Sequence, residues 1–259
     1  MKIDQDRIRD ILNADYSHSS WSDIPTREDK RWNLGSYTDF MRRQLSPEAR
    51  VLDVGCGRGS ILMDMCKSFH HGLGIDINPE ALRMAEEAKR AEGIKNVDFL
   101  LLDYPREIDR LQPESFDLVY STRGPIGDTA EQVQAAHHLL RPDGSLFCVE
   151  LAELFKIERE EIFGDLSPST KRIRRIDEVR ALMEQNGFEV RLAADMISEE
   201  YYPDIYAWLQ YDCNIRYIFN TPFLEPDDPR IALFAERNTI VKGEIKTTNH
   251  CCWVAGVKQ

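Results

Sequence analysis

The residues of this chain best placed to do chemistry are glycines and carboxylates at the ends of successive apolar runs. The first run leads through Val51-Leu52-Asp53-Val54-Gly55-Cys56-Gly57-Arg58-Gly59-Ser60, three alternate glycines followed by a helical pattern. Glycine lets the backbone bend sharply there and lets a ligand approach the main chain with no Cβ in the way. A helix start behind it offers unpaired backbone N–H groups. The next run ends in Gly74-Ile75-Asp76-Ile77-Asn78-Pro79, which sets a carboxylate about 17 residues after the last glycine. At a strand end, that carboxylate can accept both hydroxyls of an adenosine ribose. A third run ends in Leu101-Leu102-Asp103-Tyr104, and Asp103 reaches the same sheet edge, where an adenine amino group would lie. A glycine-rich turn alone is shared by many nucleotide-binding and purely structural turns. Adding two carboxylates on the next two strand ends is harder to explain by structure alone, because buried strands disfavour ionised groups.

These residues need a sheet to hold them. Apolar runs alternate with helix-period segments, the pattern of a mostly parallel sheet with helices on both faces. The strands are expected at 50–54, 72–76, 97–101, 116–120, 145–150, 188–193 and 246–257, and helices at about 59–70, 79–92, 128–140 and 174–186. Asn78-Pro79-Glu80 combines a side-chain cap with a proline at the first helical position, so it defines the start of the second helix well. Arg141-Pro142-Asp143-Gly144 reads as the turn that ends the third helix.

The pattern Asp53-x-Gly55-x-Gly57-x-Gly59, with Asp76 and Asp103 after it, resembles the class I S-adenosylmethionine-dependent methyltransferases over roughly 48–150. In texture the chain is similar to their broad type 11 group. A nicotinamide dehydrogenase would instead favour Gly-x-Gly-x-x-Gly; here the third glycine comes one residue early. The resemblance implies a Rossmann-like, seven-stranded, mostly parallel sheet whose last strand is antiparallel. It implies S-adenosylmethionine as cofactor and S-adenosylhomocysteine as product. The glycine turn and Asp53 would hold the methionine part, Asp76 the ribose and Asp103 the adenine. With Gly55, Cys56, Gly57, Gly59, Ile77, Tyr104 and Ser121, these residues make up the expected cofactor site.

The fourth strand runs into Tyr120-Ser121-Thr122-Arg123-Gly124-Pro125, which resembles the segment lining the gap between methyl donor and acceptor in this family. It is not the Asn-Pro-Pro-Tyr or Asp-Pro-Pro-Tyr type used on exocyclic amines of nucleic acids. Arg123 reads as a partner for a substrate or cofactor carboxylate, or as a surface ion pair. Glu150, closing the fifth strand, would orient a substrate, act as a base or cap the next segment. His70, His71, His137 and His138 read as surface or packing residues and His250, in the final strand, as a core or hydrogen-bonding one, so no general base is assigned. Methyl transfer from a sulfonium is an in-line displacement that placement and desolvation can drive.

Residues 1–45 precede the sheet and carry Tyr16, Trp21, Trp32 and Tyr37, the mixture expected of a helical cap; Trp32 is the candidate acceptor contact among them. The methyltransferase domain would then occupy 46–259. Within it, an aromatic-rich segment at about 197–244 reads as a helical, lid-like insertion before the last strand.

The net charge of -12 weighs against a nucleic acid partner and favours a small-molecule acceptor. The most basic stretch, Lys171-Arg172-Ile173-Arg174-Arg175, reads as a solvated helix face. No apolar run is long enough to span a membrane and the N-terminus lacks a signal-peptide core, so the expected location is cytoplasmic. Six cysteines without Cys-x-x-Cys spacing read as reduced thiols, and no metal site is expected. Two other functions fit the same motifs: methylation of RNA or protein, and non-catalytic binding of S-adenosylmethionine or S-adenosylhomocysteine.

Overall fold

The computed structural model describes residues 3–17, 19, 24–30, 35–164, 173–218 and 220–259. Its strands are β1 (Arg27–Lys30), β2 (Arg50–Val54), β3 (His71–Asp76), β4 (Val97–Leu101), β5 (Phe116–Thr122), β6 (Leu140–Leu151), β7 (Phe188–Tyr202) and β8 (Ile245–Lys258). They form one sheet in the order β1-β7-β8-β6-β5-β2-β3-β4. The pairs β2·β3, β2·β5, β3·β4 and β5·β6 are parallel, while β8 runs antiparallel to β6 and β1 antiparallel to β7. The α/β class and the antiparallel last strand are as expected, but the strands number eight rather than seven. The added strand, β1, has the sequence Arg-Glu-Asp-Lys and so lacks any alternating apolar signal. It exists because it pairs with Ser198–Tyr201, at the far end of a β7 that runs well beyond the expected 193.

The chain divides into two units. One comprises Trp32–Ala152, Arg174–Met196 and Cys251–Gln259; the other comprises Met1–Arg31, Glu153–Ile173 and Ile197–His250. The first holds the parallel strands with α2 (Tyr37–Arg42), α3 (Ser60–Asp64), α4 (Pro79–Glu92), α5 (Ala130–Leu139) and α7 (Ile176–Gln185); α6 (Ile157–Phe163) belongs to the second.

Alternation along the strands of the first unit gives two cores. Leu52, Val119, Leu146, Cys148, Cys252 and Val254 face one side with Val133 and Ala136 of α5 and Met183 of α7. Val51, Leu118, Tyr120, Phe147, Val149 and Trp253 face the other with Met41 of α2 and Leu62 of α3. Cys251 and Cys252 therefore pack on opposite faces. The start of α4 follows its sequence signal: Asn78 Oδ1 accepts from the Glu80 and Ala81 amides at 3.0 and 3.2 Å. The expected helix over 59–70 is shorter: α3 stops at Asp64 and a 3₁₀ turn covers Cys66–Ser68. The expected turn at 141–144 is a bulge inside β6, where pairing with β5 jumps from Leu140 to Ser145 and Asp143 adopts φ +62°.

The second unit contains α1 (Gln5–Leu12), α6, α8 (Ile205–Ile218) and α9 (Pro229–Asn238) around a core of its own. Ile8, Ile11 and Leu12 of α1 join Trp208 and Leu209 of α8 and Phe234 of α9. The Trp208 and Phe234 rings stack with centroids 3.8 Å apart. The segment expected as a helical insertion thus begins as strand, through Tyr202, before its two helices. Trp21, Trp32, Lys171 and Arg172 lie outside the described residues.

Candidate functional site

At the end of β2 the chain folds back over β3: the Gly55 and Cys56 amides both donate to the Ile75 carbonyl, at 2.9 and 3.0 Å. The glycines of this turn serve different ends. A Cβ on Gly59 would sit 2.3 Å from the Phe99 ring of β4, and one on Gly55 2.9 Å from Pro125. Gly57, at φ +54°, has nothing within 4 Å of its Cβ position. Two of the three glycines are therefore demanded by packing, and Gly57 leaves backbone open to an approaching group. Cys56 packs its sulfur near Gly74, and burial together with Asp53 and Asp76 keeps its thiol protonated.

Asp53 lies one residue before the end of β2, only 1% exposed. Its lateral neighbour on β5 is Tyr120, whose hydroxyl donates to Asp53 Oδ2 at 2.8 Å. Asp53 Oδ1 is buried and has no hydrogen-bond partner among the described residues. Burial pushes this carboxyl up to about 7, against the stabilising Tyr120 bond, and Asp76 adds a smaller push in the same direction.

Asp76 ends β3 and is held by the backbone: Gly57 N donates to Oδ2 at 2.7 Å and Asn78 N to Oδ1 at 2.8 Å. Each oxygen retains capacity for a further donor, so the carboxylate can receive a diol while pinned to the glycine turn. Beside it, Ile77 is 67% exposed, and Leu101, register partner of Asp76 on β4, is 49% exposed. Open aliphatic side chains at a parallel strand edge suit the face of a flat ring. Asp103 takes its amide to Glu107 Oε2 at 2.9 Å and its side chain pairs with Arg106 at 3.3 Å. Tyr104 points into the core and its hydroxyl donates to the Gln132 carbonyl at 2.5 Å.

The segment after β5 closes the other side of the turn. Ser121 Oγ donates to the Val54 carbonyl at 3.0 Å, and Gly124 fits only without a Cβ, which would fall 2.3 Å from Ser121 Oγ. Arg123 has φ +57° and its amide donates to the Val149 carbonyl at 2.7 Å. Glu150 is buried beside Gly127, whose Cβ would lie 3.3 Å from Oε1. His250 Nδ1 accepts from the Leu154 amide at 3.1 Å, and the His137 ring packs edge-on against Phe188 at 5.3 Å.

Asp53, Gly57, Asp76 and Ile77 are thus brought to one strand edge, with Ser121 locking the turn from the β5 side. Sequence reasoning passed over Tyr120 and Leu101. A tyrosine inside a fully buried parallel strand was the available signal for Tyr120, since its hydroxyl must find a partner. The residues fit an adenosine carrying an amino-acid group: an orphaned buried carboxylate oxygen for an ammonium, an anchored carboxylate for a diol, and open aliphatic surface for a base.

A sheet of this order, with its parallel strands ending at this edge, is a Rossmann-like α/β arrangement. The methyltransferase domain family matches residues 45–196, more than half of the chain, and the chain belongs to that family. The ubiquinone biosynthesis O-methyltransferase of Xylella fastidiosa (strain M23) is 34% identical over 115 residues, 42% of this chain and 45% of that protein. The match therefore spans less than half of that relative's length. Among solved structures, the YcgJ protein of Bacillus subtilis has a TM-score of 0.60 at 18% identity, covering 86% of this chain and 97% of that one. A geranyl diphosphate methyltransferase in complex with SAM has a TM-score of 0.55 at 14% identity, covering 86% and 84%. At these identities the two structures speak for the fold.

Proposed function

We propose that this chain transfers a methyl group from S-adenosylmethionine to a small-molecule acceptor by in-line displacement. The observation that carries the reading is Asp53 Oδ1, a buried carboxylate oxygen with no partner among the described residues, at the head of a turn whose Gly57 leaves backbone open. Burying such an oxygen unpaired is costly, so a ligand donor is the economical explanation. When bound, the cofactor supplies an electrophilic methyl on a sulfonium.

In this reading Asp53 receives the ammonium of the methionine part and Asp76 the ribose hydroxyls. Ile77 and Leu101 offer apolar surface to the adenine, and Asp103 accepts from its amino group. Cys56, Gly55 and Gly59 shape the turn, Ser121 fixes it, and Tyr104 contributes through its backbone. Arg123 and Glu150 are assigned to the acceptor side. The chain's task is to hold two reactants in line and exclude water, which needs no strong base. A small acceptor is supported by the net charge of -12 and by relatives named for ubiquinone biosynthesis and geranyl diphosphate. Among the described residues no helix is long and apolar enough to cross a membrane. A cytoplasmic location is part of the proposal, supported by six cysteines that are all free thiols.

Calorimetric titration with S-adenosylmethionine, S-adenosylhomocysteine and NAD tests the cofactor. Binding of the first two without the third is expected; no binding of either overturns the reading. A panel of small phenols, amines and carboxylates, scored by S-adenosylhomocysteine formation, then tests transfer. Tight cofactor binding with no turnover on any acceptor would favour a sensor instead.

A further inference from the structure

The donor site described above uses Asp53 and leaves Tyr120 without a task. Tyr120 is fully buried on β5, with its ring in the core beside Phe147 and Trp253. A phenylalanine would fill nearly the same volume. What the hydroxyl adds is one bond, 2.8 Å long, to Asp53 Oδ2. It occupies one oxygen of the carboxylate and leaves the other, buried Oδ1, as the acceptor available to a ligand.

The charge balance around the pair is uneven. Tyr120 faces Asp53 from β5 and Asp76 acts on it from β3; Cys56 of the glycine turn senses Asp53, and Tyr37 of α2 acts on Tyr120. None of these groups is a cation. In the absence of ligand, burial therefore favours the neutral acid.

We infer that Tyr120 is a positioning residue for the methyl donor's ammonium group, and that donor capture drives a proton from the Asp53 carboxyl to solvent. The inference rests on the donor reading of the site. In the step, the Asp53 O–H bond breaks and its proton leaves to water. The carboxylate then accepts an N–H of the ligand ammonium, which keeps all its protons. Tyr120 keeps its own proton and donates to Oδ2 throughout. Donor affinity accordingly rises with pH until Asp53 is already ionised in the free protein, and is flat above that point.

The test is calorimetric titration of the full chain with S-adenosylhomocysteine in buffer pairs of different ionisation enthalpy, from about pH 6 to about pH 8.5, which span the ionisation. Release of about one proton per ligand is expected at the acid end, falling towards none at the alkaline end. 5′-Methylthioadenosine, which lacks the amino-acid group, is expected to bind without this release. Tyr120→Phe removes the bond that favours the charged form. Its release profile is expected to move up by about one pH unit or more, with affinity about tenfold weaker near neutrality. Binding without proton release, or a Tyr120→Phe profile superimposable on the parent, overturns the inference and leaves the donor reading standing. Failure of the parent chain to bind S-adenosylhomocysteine overturns the donor reading itself. Should Tyr120→Phe not fold, Asp53→Asn carries the test: release is expected to vanish at every pH, and its persistence overturns the inference.

Discussion

In the unit built from α1, α6, α8 and α9, Asp212 is buried between two buried guanidiniums, with Arg216 Nε at 2.5 Å and Arg159 Nη1 at 3.5 Å. Close by in sequence, Lys156 buries its ammonium against Glu200, the Tyr202 hydroxyl at 3.1 Å and the Thr247 hydroxyl at 2.9 Å. The Tyr202 and Tyr211 rings lie 5.1 and 5.2 Å from it. In the sheet unit, Asp53 is equally buried, yet among the described residues its hydrogen-bond partner is a neutral phenol. Both units place carboxylates out of water; Asp212 lies between cations, and the described partner of Asp53 is uncharged. Desolvating a charge is costly unless it is paired and hydrogen-bonded. A carboxylate set between cations of its own unit reads as architecture, while one buried against a neutral phenol fits the proposed ligand ammonium.

The sharpest way to break this comparison is to remove the shared counter-charge. Asp212→Ala takes from Arg159 and Arg216 the carboxylate they have in common, and is expected to cost about 3–5 kcal/mol of unfolding free energy. Urea denaturation of the ligand-free protein measures it. A loss below about 1 kcal/mol, the range of an exposed pair, would mean that Asp212 is not what holds these cations.

Asp53→Asn is expected to act with the opposite sign. The Asp53 carboxyl rises from 3.8 to about 7 on folding. Between those values the folded chain keeps a proton that the unfolded chain has lost. The carboxyl therefore withdraws stability as pH climbs through this window, and its full cost stands above it. Asparagine cannot ionise, so the variant should be more stable than the parent by on the order of 2–4 kcal/mol above about pH 8, and little changed near about pH 4. Denaturation at the two pH values decides it. A variant destabilised at both would make Asp53 a structural acid like Asp212.

How far the chain could be read without coordinates follows the same division. The strand edge itself was legible because its residue types are restricted: alternate glycines after one apolar run and a carboxylate, Asp76, at the end of the next; the two amides that hold Asp76 were not. Tyr120 was not, since along its own strand it looks like one more large core residue, and only lateral pairing with Asp53 gives its hydroxyl meaning. β1 was invisible because four charged residues carry no period, and its pairing is set by residues more than 160 positions away, Arg27 opposite Tyr201. A helical cap and a helical insertion were expected, but the core they share was not legible, for a related reason. That core joins Ile8 of α1 to Trp208 and Phe234, on helices far apart in the sequence, and no local pattern announces which of them pack together.

Within the donor edge, Asp76→Ala is expected to weaken S-adenosylhomocysteine binding by about 1–3 kcal/mol, since each lost charge-assisted bond is worth a modest net amount. Calorimetry at one pH suffices, and an unchanged affinity would remove Asp76 from the ribose. The same carboxylate also fixes the turn through Gly57 N at 2.7 Å. Asp76→Asn keeps an acceptor for one of its two amides but sets an NH2 against the other, so affinity is measured on the folded fraction and unfolding separately; a fall in affinity of the folded fraction belongs to the ligand.

The smallest effect on stability is expected at Gly57, and it discriminates between packing and access inside a single turn. An alanine there meets no atom within 4 Å, so the folded chain bears only the strain of φ +54°, about 1 kcal/mol. Gly59→Ala, two residues on, must displace the Phe99 ring from 2.3 Å and should unfold much more readily. Their order should reverse once affinity is measured on the folded fraction. The Gly57 methyl enters the space proposed for the cofactor, whereas the Gly59 methyl points into packed side chains. Equal S-adenosylhomocysteine affinities for Gly57→Ala and the parent would show that the open backbone at Gly57 is not where the ligand approaches, and the donor reading would then have to rest on Asp53 and Asp76 alone.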